Sequence, residues 1–177
     1  PCIQQEKAVL RTIMCGWSAE RPPDFPCTGI QPDTGDALAL ACVLAGRTWG
    51  GYAACWHWSE RPVAGPSFGL PVFLTLGCAA NDVRTPDLLA TGKLEAKAGV
   101  PTGGVGRVDG VPVKARLAGG GCLLAPKDGF EARAMPSGPC VFPVRSAHDA
   151  WEFWIRCTHG ANPRTLDGLG SRKIDQF

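Results

Sequence analysis

The sequence predicts an all-β fold, and its composition together with two local patterns supports that prediction. The chain has 177 residues, of which 23 are Gly and 16 are Pro. This content disfavours long helices and is typical of short strands joined by tight turns. The apolar residues fall in short runs, such as residues 37–44 before Gly46, and Asp109-Gly110 is the strongest short hairpin signal in the chain. Together these patterns predict about ten to twelve strands.

The first half of the chain is predicted to supply a strand pair and a later single strand. Residues 37–44 have the pattern of a buried strand, and residues 48–56 that of its hairpin partner across a Gly-Arg turn. Residues 72–76 form the next predicted strand. His57 therefore directly follows one predicted strand, and Asp82 lies just beyond another.

The second half is predicted to contain two hairpins and a strand between them. Residues 86–97 have a mixed composition and link the halves. Residues 105–113 have the pattern of a hairpin across their Asp-Gly turn, and residues 122–124 begin the next strand. Residues 140–142 and 151–157 are predicted to pair as the last hairpin.

Charge, hydropathy and cysteine spacing exclude several classes of protein. The formal net charge of +2 does not favour a nucleic acid or an anionic membrane as partner. No apolar run approaches the roughly 18 residues that span a bilayer. The nine cysteines are an odd number, and no two have the close spacing of a zinc finger. We therefore favour reduced cysteines over a disulfide framework.

The loop from Met135 to Cys140 carries the candidate nucleophile. Ser137 is flanked there by Pro and Gly, which mark either an ordinary turn or a presented serine. His57 and Asp82 precede it in the order and at the spacing that a two-barrel serine protease uses. A serine hydroxyl is a poor nucleophile until an imidazole takes its proton, and a carboxylate then holds the imidazole ring. These three residues are the predicted catalytic triad.

Each member of the triad has a simpler alternative. His57 stands between two tryptophans and could be a packed core residue. Asp87 also follows the predicted strand, although the spacing favours Asp82. Ser146 is a rival to Ser137 as nucleophile, but it lacks an adjacent glycine turn.

Eight segments share their order and spacing with one known family. In chain order they are Ile3-Gln4-Gln5, Leu40-Ala41-Cys42, Cys55-Trp56-His57, Asn81-Asp82, Val108-Asp109-Gly110-Val111-Pro112-Val113-Lys114, Cys122-Leu123-Leu124-Ala125-Pro126, Ser137-Gly138-Pro139 and Arg156-Cys157-Thr158-His159-Gly160. With them the chain resembles, nearly end to end, the serine protease domain of the third non-structural protein of hepatitis C virus and related hepaciviruses and pegiviruses.

The resemblance implies two antiparallel six-stranded β-barrels of chymotrypsin type, with the active site in the cleft between them. Residues 1–92 would form the barrel that carries His57 and Asp82, and residues 93–177 the barrel that carries Ser137. The backbone N–H groups of Met135 and Ser137 would form the oxyanion hole. Phe153 would lie on the floor of a small apolar pocket that accepts a Cys or Thr side chain.

The same resemblance implies a viral serine endopeptidase that processes the viral polyprotein and is followed by a helicase domain. An activating peptide from the fourth non-structural protein would add a strand at residues 3–14 and hold the protease at intracellular membranes of the host cytoplasm. No direct binding of nucleic acid by this domain is implied. The alternative is a non-catalytic all-β module for viral or phage assembly, which also explains the Gly-, Pro- and Trp-rich composition.

No metal is predicted at the active site, and the family's structural zinc is expected to be absent or rebuilt. The family draws two cysteine ligands from the segment that links the barrels, whereas residues 86–101 contain no cysteine. Cys140 and His148 lie near the other two ligand positions. Two ligands do not make a structural zinc site.

Overall fold

The structure is a computed structural model that describes residues 13–18, 32–57, 65–86, 88–118, 121–128 and 140–160; side chains are described for these except at 13–18, 54–57 and 117. Its helices are α1 (Pro32–Trp49), α2 (Gly69–Ala80), α3 (Val111–Leu117) and α4 (Ala147–Thr158), with a 3-10 turn at Pro66–Phe68. Its strands are β1 (Ile13–Ser18), β2 (Tyr52–His57), β3 (Leu89–Ala90), β4 (Lys93–Lys97), β5 (Val100–Gly106), β6 (Cys122–Pro126) and β7 (Cys140–Val144).

The strands form three small sheets. β1 and β2 pair antiparallel, as do β4 and β5, while β3, β6 and β7 form a parallel sheet with β6 in the centre. All five residues of β6 are buried, which is typical of a parallel strand with both faces covered. Its alternate side chains, Cys122 with Leu124 and Leu123 with Ala125, belong to two separate apolar clusters.

We call these clusters the large face and the small face of the parallel sheet. On the large face, the helices α1 and α4 and the strands β4 to β7 pack around the α2 helix, which is buried along nearly its whole length. Trp49 and Trp151 close over Gly77 of α2, where an added Cβ would lie 2.6 and 2.5 Å from their rings. On the small face, Val111 and Ala115 of α3 cover Leu123 and Ala125 of β6.

The predicted all-β fold of two barrels is wrong. Within the described ranges the chain is a mixed α/β protein whose sheets have two or three strands, and none of them closes into a barrel. The predicted strands at 37–44, 72–76 and 151–157 lie inside α1, α2 and α4. The predicted division into residues 1–92 and 93–177 stays a prediction.

These errors have local physical causes. In α1 the buried residues Ala37, Ala41 and Ala45 recur every four positions, which is a helical period that we interpreted as a strand. The α2 helix is apolar on all sides, and periodicity cannot distinguish such a segment from a buried strand. The strand predicted at 151–157 is a helix whose start is marked by a cap: the Ser146 hydroxyl accepts a hydrogen bond from the N–H of Asp149 at 3.0 Å.

The strand predictions in the last third of the chain are partly confirmed. Residues 122–124 begin β6, and residues 140–142 begin β7. However, β7 pairs in parallel with β6, because residues 151–157 form a helix and not the other arm of a hairpin. The Asp-Gly turn in residues 105–113 leads from β5 into α3, with Gly110 in the left-handed conformation at φ 74°.

Candidate functional site

The described residues neither bring the predicted catalytic triad together nor exclude it. His57 is the last residue of β2, its backbone opposite Ile13 of β1, and its side chain lies outside the described part of the structure. Asp82 is exposed in the turn that follows α2. Ser137 and Met135, and with them the predicted oxyanion hole, lie outside the described residues. The two-barrel cleft that would have held them is absent from the described fold, and the triad stays a prediction.

Phe153, the predicted pocket floor, lies on helix α4. Its half-buried ring contacts that of Phe142 on β7, with 4.3 Å between the ring centroids. This contact joins α4 to the large face of the sheet. The described structure therefore gives Phe153 a packing role, and its role in substrate recognition stays a prediction.

A different group of polar side chains is buried where the small face meets the start of α2. The buried polar or charged residues of the described chain are Thr34, Thr91 and Lys114, with exposed fractions of 0, 2 and 7 %. The Nζ of Lys114 donates a hydrogen bond of 2.8 Å to the Oγ1 of Thr91. Burying an amine is costly unless its hydrogen bonds are made, so a lysine kept in such a place needs an explanation.

The fold delivers Lys114 from helix α3. Gly110 turns the chain into the helix, and the N–H of Lys114 donates to the Gly110 carbonyl at 3.0 Å. Among the described side chains of this helix the buried ones are Val111, Lys114 and Ala115, and their spacing puts them on one face. Lys114 thus occupies a position that would be apolar in an ordinary amphipathic helix.

Thr91 is fixed by the end of strand β3. Its N–H donates to the carbonyl of Leu124 at 2.9 Å, which extends the pairing of β3 with β6. Gly92 follows it and lies so close to Val105 that an added Cβ would come within 2.7 Å of the valine Cγ1. A glycine is therefore required directly after Thr91.

Ser67 lies beside Thr91 and Gly92, in the 3-10 turn that runs straight into α2. The Gly92 N–H donates to the Ser67 carbonyl at 3.1 Å, and the Leu70 N–H donates to the Gly92 carbonyl at 3.0 Å. These two bonds hold the first turn before α2 against the segment that also receives the Lys114 amine. Ser67 is half-buried. A serine, a threonine and a lysine are thereby joined through one dipeptide, and we call them the Ser67–Thr91–Lys114 cluster.

The chain leading to Ser67 is shaped by two residues with restricted conformations. Gly65 has φ 114° and ψ 147°, a region that is essentially restricted to glycine. Pro66 then begins the turn, where its fixed φ and missing N–H suit the first helical position. Helix starts leave N–H groups without partners inside the helix, and such groups bind developing negative charge. Gly65 and Pro66 together therefore fix the direction of the backbone directly before Ser67.

Sequence reasoning missed Ser67 although its signal was present. Ser67 follows Gly-Pro and precedes a glycine two residues later, which is the kind of pattern that drew attention to Ser137. It was overlooked because the apolar run after it was interpreted as a strand. Lys114 could have been found as the one cation on the apolar face of a short helix, had 111–117 been predicted as helix. Asp82 is at the opposite end of α2, whose 12 residues span about 18 Å.

Two comparisons with known proteins, against family models and against curated proteins, found no match. The chymotrypsin-type fold that the viral resemblance implied is wrong. The polyprotein substrate, the activating peptide, the helicase that would follow and the membrane association depended on that resemblance, and they stay predictions.

Metal and membrane features were also searched in the described residues. No group of three or more His, Cys, Asp or Glu side chains there could hold a metal ion. Cys140 begins β7, and the exposed His148 lies on α4, 3.4 Å from Glu152 one turn along the same helix. None of the described helices combines the length and apolar character that crossing a bilayer requires.

Proposed function

We propose that this protein is a serine peptidase of the Ser–Lys type, with Ser67 as nucleophile and Lys114 as general base. The observation that carries the proposal is the buried hydrogen bond from the Lys114 amine to Thr91, directly beside the turn that holds Ser67. Ser–Lys pairs are one of the convergent arrangements that hydrolyse peptide bonds. The Ser-His-Asp mechanism predicted from the sequence is replaced here by one that needs no imidazole.

The proposed reaction is acyl transfer to serine and then to water. The neutral Lys114 amine takes the proton of the Ser67 hydroxyl while the serine oxygen attacks the substrate carbonyl carbon. The resulting ammonium then gives its proton to the leaving amine as the peptide C–N bond breaks. A water molecule hydrolyses the acyl-enzyme with the lysine again as base, which restores both side chains.

Two features of the surroundings support this assignment. Thr91 accepts a hydrogen bond from Lys114, so the amine has a fixed direction rather than the freedom of an exposed lysine. Backbone N–H groups of the turn that begins with Pro66 are the proposed donors to the oxyanion.

The proposal is tested by labelling with a serine-directed fluorophosphonate, followed by mapping of the labelled peptide by mass spectrometry. We expect the label on Ser67, its loss in Ser67→Ala, and unchanged labelling in Ser137→Ala and His57→Ala. A label on Ser137 that also needs His57 would restore the predicted triad and contradict the proposal. A folded protein that neither reacts with the probe nor cleaves a quenched peptide library would favour the non-catalytic assembly module.

A further inference from the structure

Thr34 is the most deeply buried polar side chain of the described chain, and the proposed chemistry leaves it without a role. It lies in the first turn of α1 and is 0 % exposed. Its Oγ1 donates to the carbonyl of Gly65 at 3.1 Å, across 31 positions of sequence. Asp33 Oδ1 is a more distant acceptor for the same hydroxyl at 3.5 Å. The shorter bond links α1 to the residue that starts the Ser67 turn.

The Gly65 carbonyl matters because it sets the direction of the chain before Ser67. Gly65 is in a conformation that only glycine adopts readily, and the ring of Pro66 fixes the next φ angle. Because the Gly65 conformation and the φ angle of Pro66 are both restricted, the orientation of the Gly65–Pro66 peptide determines where the backbone of Ser67 begins. Thr34 bonds the oxygen of that peptide.

The Ser67 turn is therefore held from two sides. On one side Gly92 bonds the Ser67 carbonyl and the Leu70 N–H, and Gly92 follows the threonine that holds Lys114. On the other side Thr34 bonds the Gly65 carbonyl. The two Gly92 bonds hold the turn against the segment that binds Lys114. The Thr34 bond holds the start of the same turn and so restricts its rotation about Gly92.

We infer that Thr34 is a positioning residue, which sets the Ser67 hydroxyl relative to the Lys114 amine through the Gly65 carbonyl. This inference rests on the proposed function, since it assigns Thr34 a role in that reaction. A small displacement between a nucleophile and its base is costly, and roughly 1 Å corresponds to about a hundredfold in rate.

The test compares Thr34→Val, which keeps the shape and removes the hydroxyl, with Thr34→Ser, which keeps the hydroxyl. Thr75→Val is the matched control, because the Thr75 hydroxyl bonds the Pro71 carbonyl within α2 at 2.9 Å, away from the turn. Two quantities are measured: the rate of fluorophosphonate labelling at Ser67, and amide hydrogen exchange of the peptide covering residues 65–70. Thermal unfolding verifies that each variant folds.

We expect Thr34→Val to slow labelling at least about tenfold and to speed exchange in residues 65–70, while Thr34→Ser and Thr75→Val resemble the parent. The pH at half-maximal labelling should not move in Thr34→Val, since the base is unchanged and only the distance to it differs. Equal labelling and equal exchange in Thr34→Val and the parent would overturn the inference. So would losses of the same size in Thr75→Val, or no recovery in Thr34→Ser.

The two proposals fail in different ways. If the parent is never labelled at Ser67, the proposed function fails, and hydrogen exchange still decides whether Thr34 orders the turn; unchanged exchange then overturns the inference as well, and exchange that rises only without the hydroxyl supports the positioning of the turn. If the parent is labelled and Thr34→Val behaves like it, only the inference about Thr34 fails.

Discussion

The two faces of the parallel sheet differ in size and in chemistry. The large face is apolar throughout and joins three helices, with residues such as Leu124, Phe142 and Trp154 in one continuous cluster. The small face is a short helix over two side chains of β6, and it contains a buried lysine. Apolar burial contributes most of the stability of a domain, whereas a buried amine contributes little or opposes it. The comparison indicates that the large face contributes most of the stability, whereas the edge of the small face carries the residues to which we assign the proposed chemistry.

Replacement of the buried lysine gives the largest expected effect and tests the small face directly. Lys114→Met keeps an unbranched side chain of similar length and removes the proposed base. We expect the rate of labelling at Ser67 to fall at least about a thousandfold, because no other described group takes over its proton. The free energy of unfolding should change by no more than about 1 kcal/mol, since exchanging a buried amine for an apolar group is often neutral.

Labelling rates and urea unfolding measure the two quantities for Lys114→Met. The exposed Lys93→Met is the control variant, and both quantities should stay at the parent value there. Parent-like labelling in Lys114→Met would contradict the role of the small face in catalysis. A collapse of stability together with activity would make Lys114 a structural residue.

Leu124 and Leu123 are neighbours on β6 that face opposite clusters, and they sharpen the comparison. Each Leu→Ala change should cost about 2–5 kcal/mol, with Leu124→Ala nearer the upper end because its cavity opens in the larger cluster. Leu123→Ala should lose less stability but more labelling, since Leu123 packs in the cluster with the helix that carries Lys114.

Urea unfolding and labelling rates are compared for this matched pair under conditions where both variants remain folded. The expected result is that the two measurements rank the variants in opposite order: Leu124→Ala loses more stability, and Leu123→Ala loses more labelling. If Leu124→Ala lost more labelling than Leu123→Ala, relative to its loss of stability, the two faces would not divide the work as proposed.

The helix cap at Ser146 gives the smallest expected effect and lies on the large face only. Ser146→Ala removes the acceptor for the Asp149 N–H and should lower the free energy of unfolding by about 1 kcal/mol, with labelling unchanged. Ser146→Asp, which keeps an N-cap acceptor, is the matched control and should retain the parent stability in thermal unfolding. Loss of labelling in Ser146→Ala would show that the serine we considered as a rival nucleophile has a role in the chemistry.

Local signals predicted part of this fold, and the failures follow from what such signals omit. The strand at 122–124 was found because a short apolar run directly after three consecutive glycines fits a buried strand. The same rule failed for α2, where the apolar run is a helix, because a helix buried on all sides has no polar face to reveal its period. The Ser146 cap and the four-residue spacing in α1 were readable and were not used.

The candidate site was less predictable than the fold. Ser67 carries a recognisable Gly-Pro-Ser pattern, but Ser137 carries a similar one, and sequence alone does not rank them. Lys114 and Thr91 are 23 positions apart, and neither stands in a motif that names the other. Their contact depends on the pairing of β3 with β6 and on the way α3 packs across that pair.

By itself the sequence determined the start of α4, the buried strand β6, and the turn conformations at Gly65 and Gly110, because caps, apolar runs and glycines act over a few residues. Only the tertiary structure decided that Lys114 reaches Thr91, that the Ser67 carbonyl accepts from Gly92 and that Thr34 reaches Gly65. Those contacts join residues far apart in the chain. Their geometry is set by the packing of helices on a sheet, which local preferences do not contain.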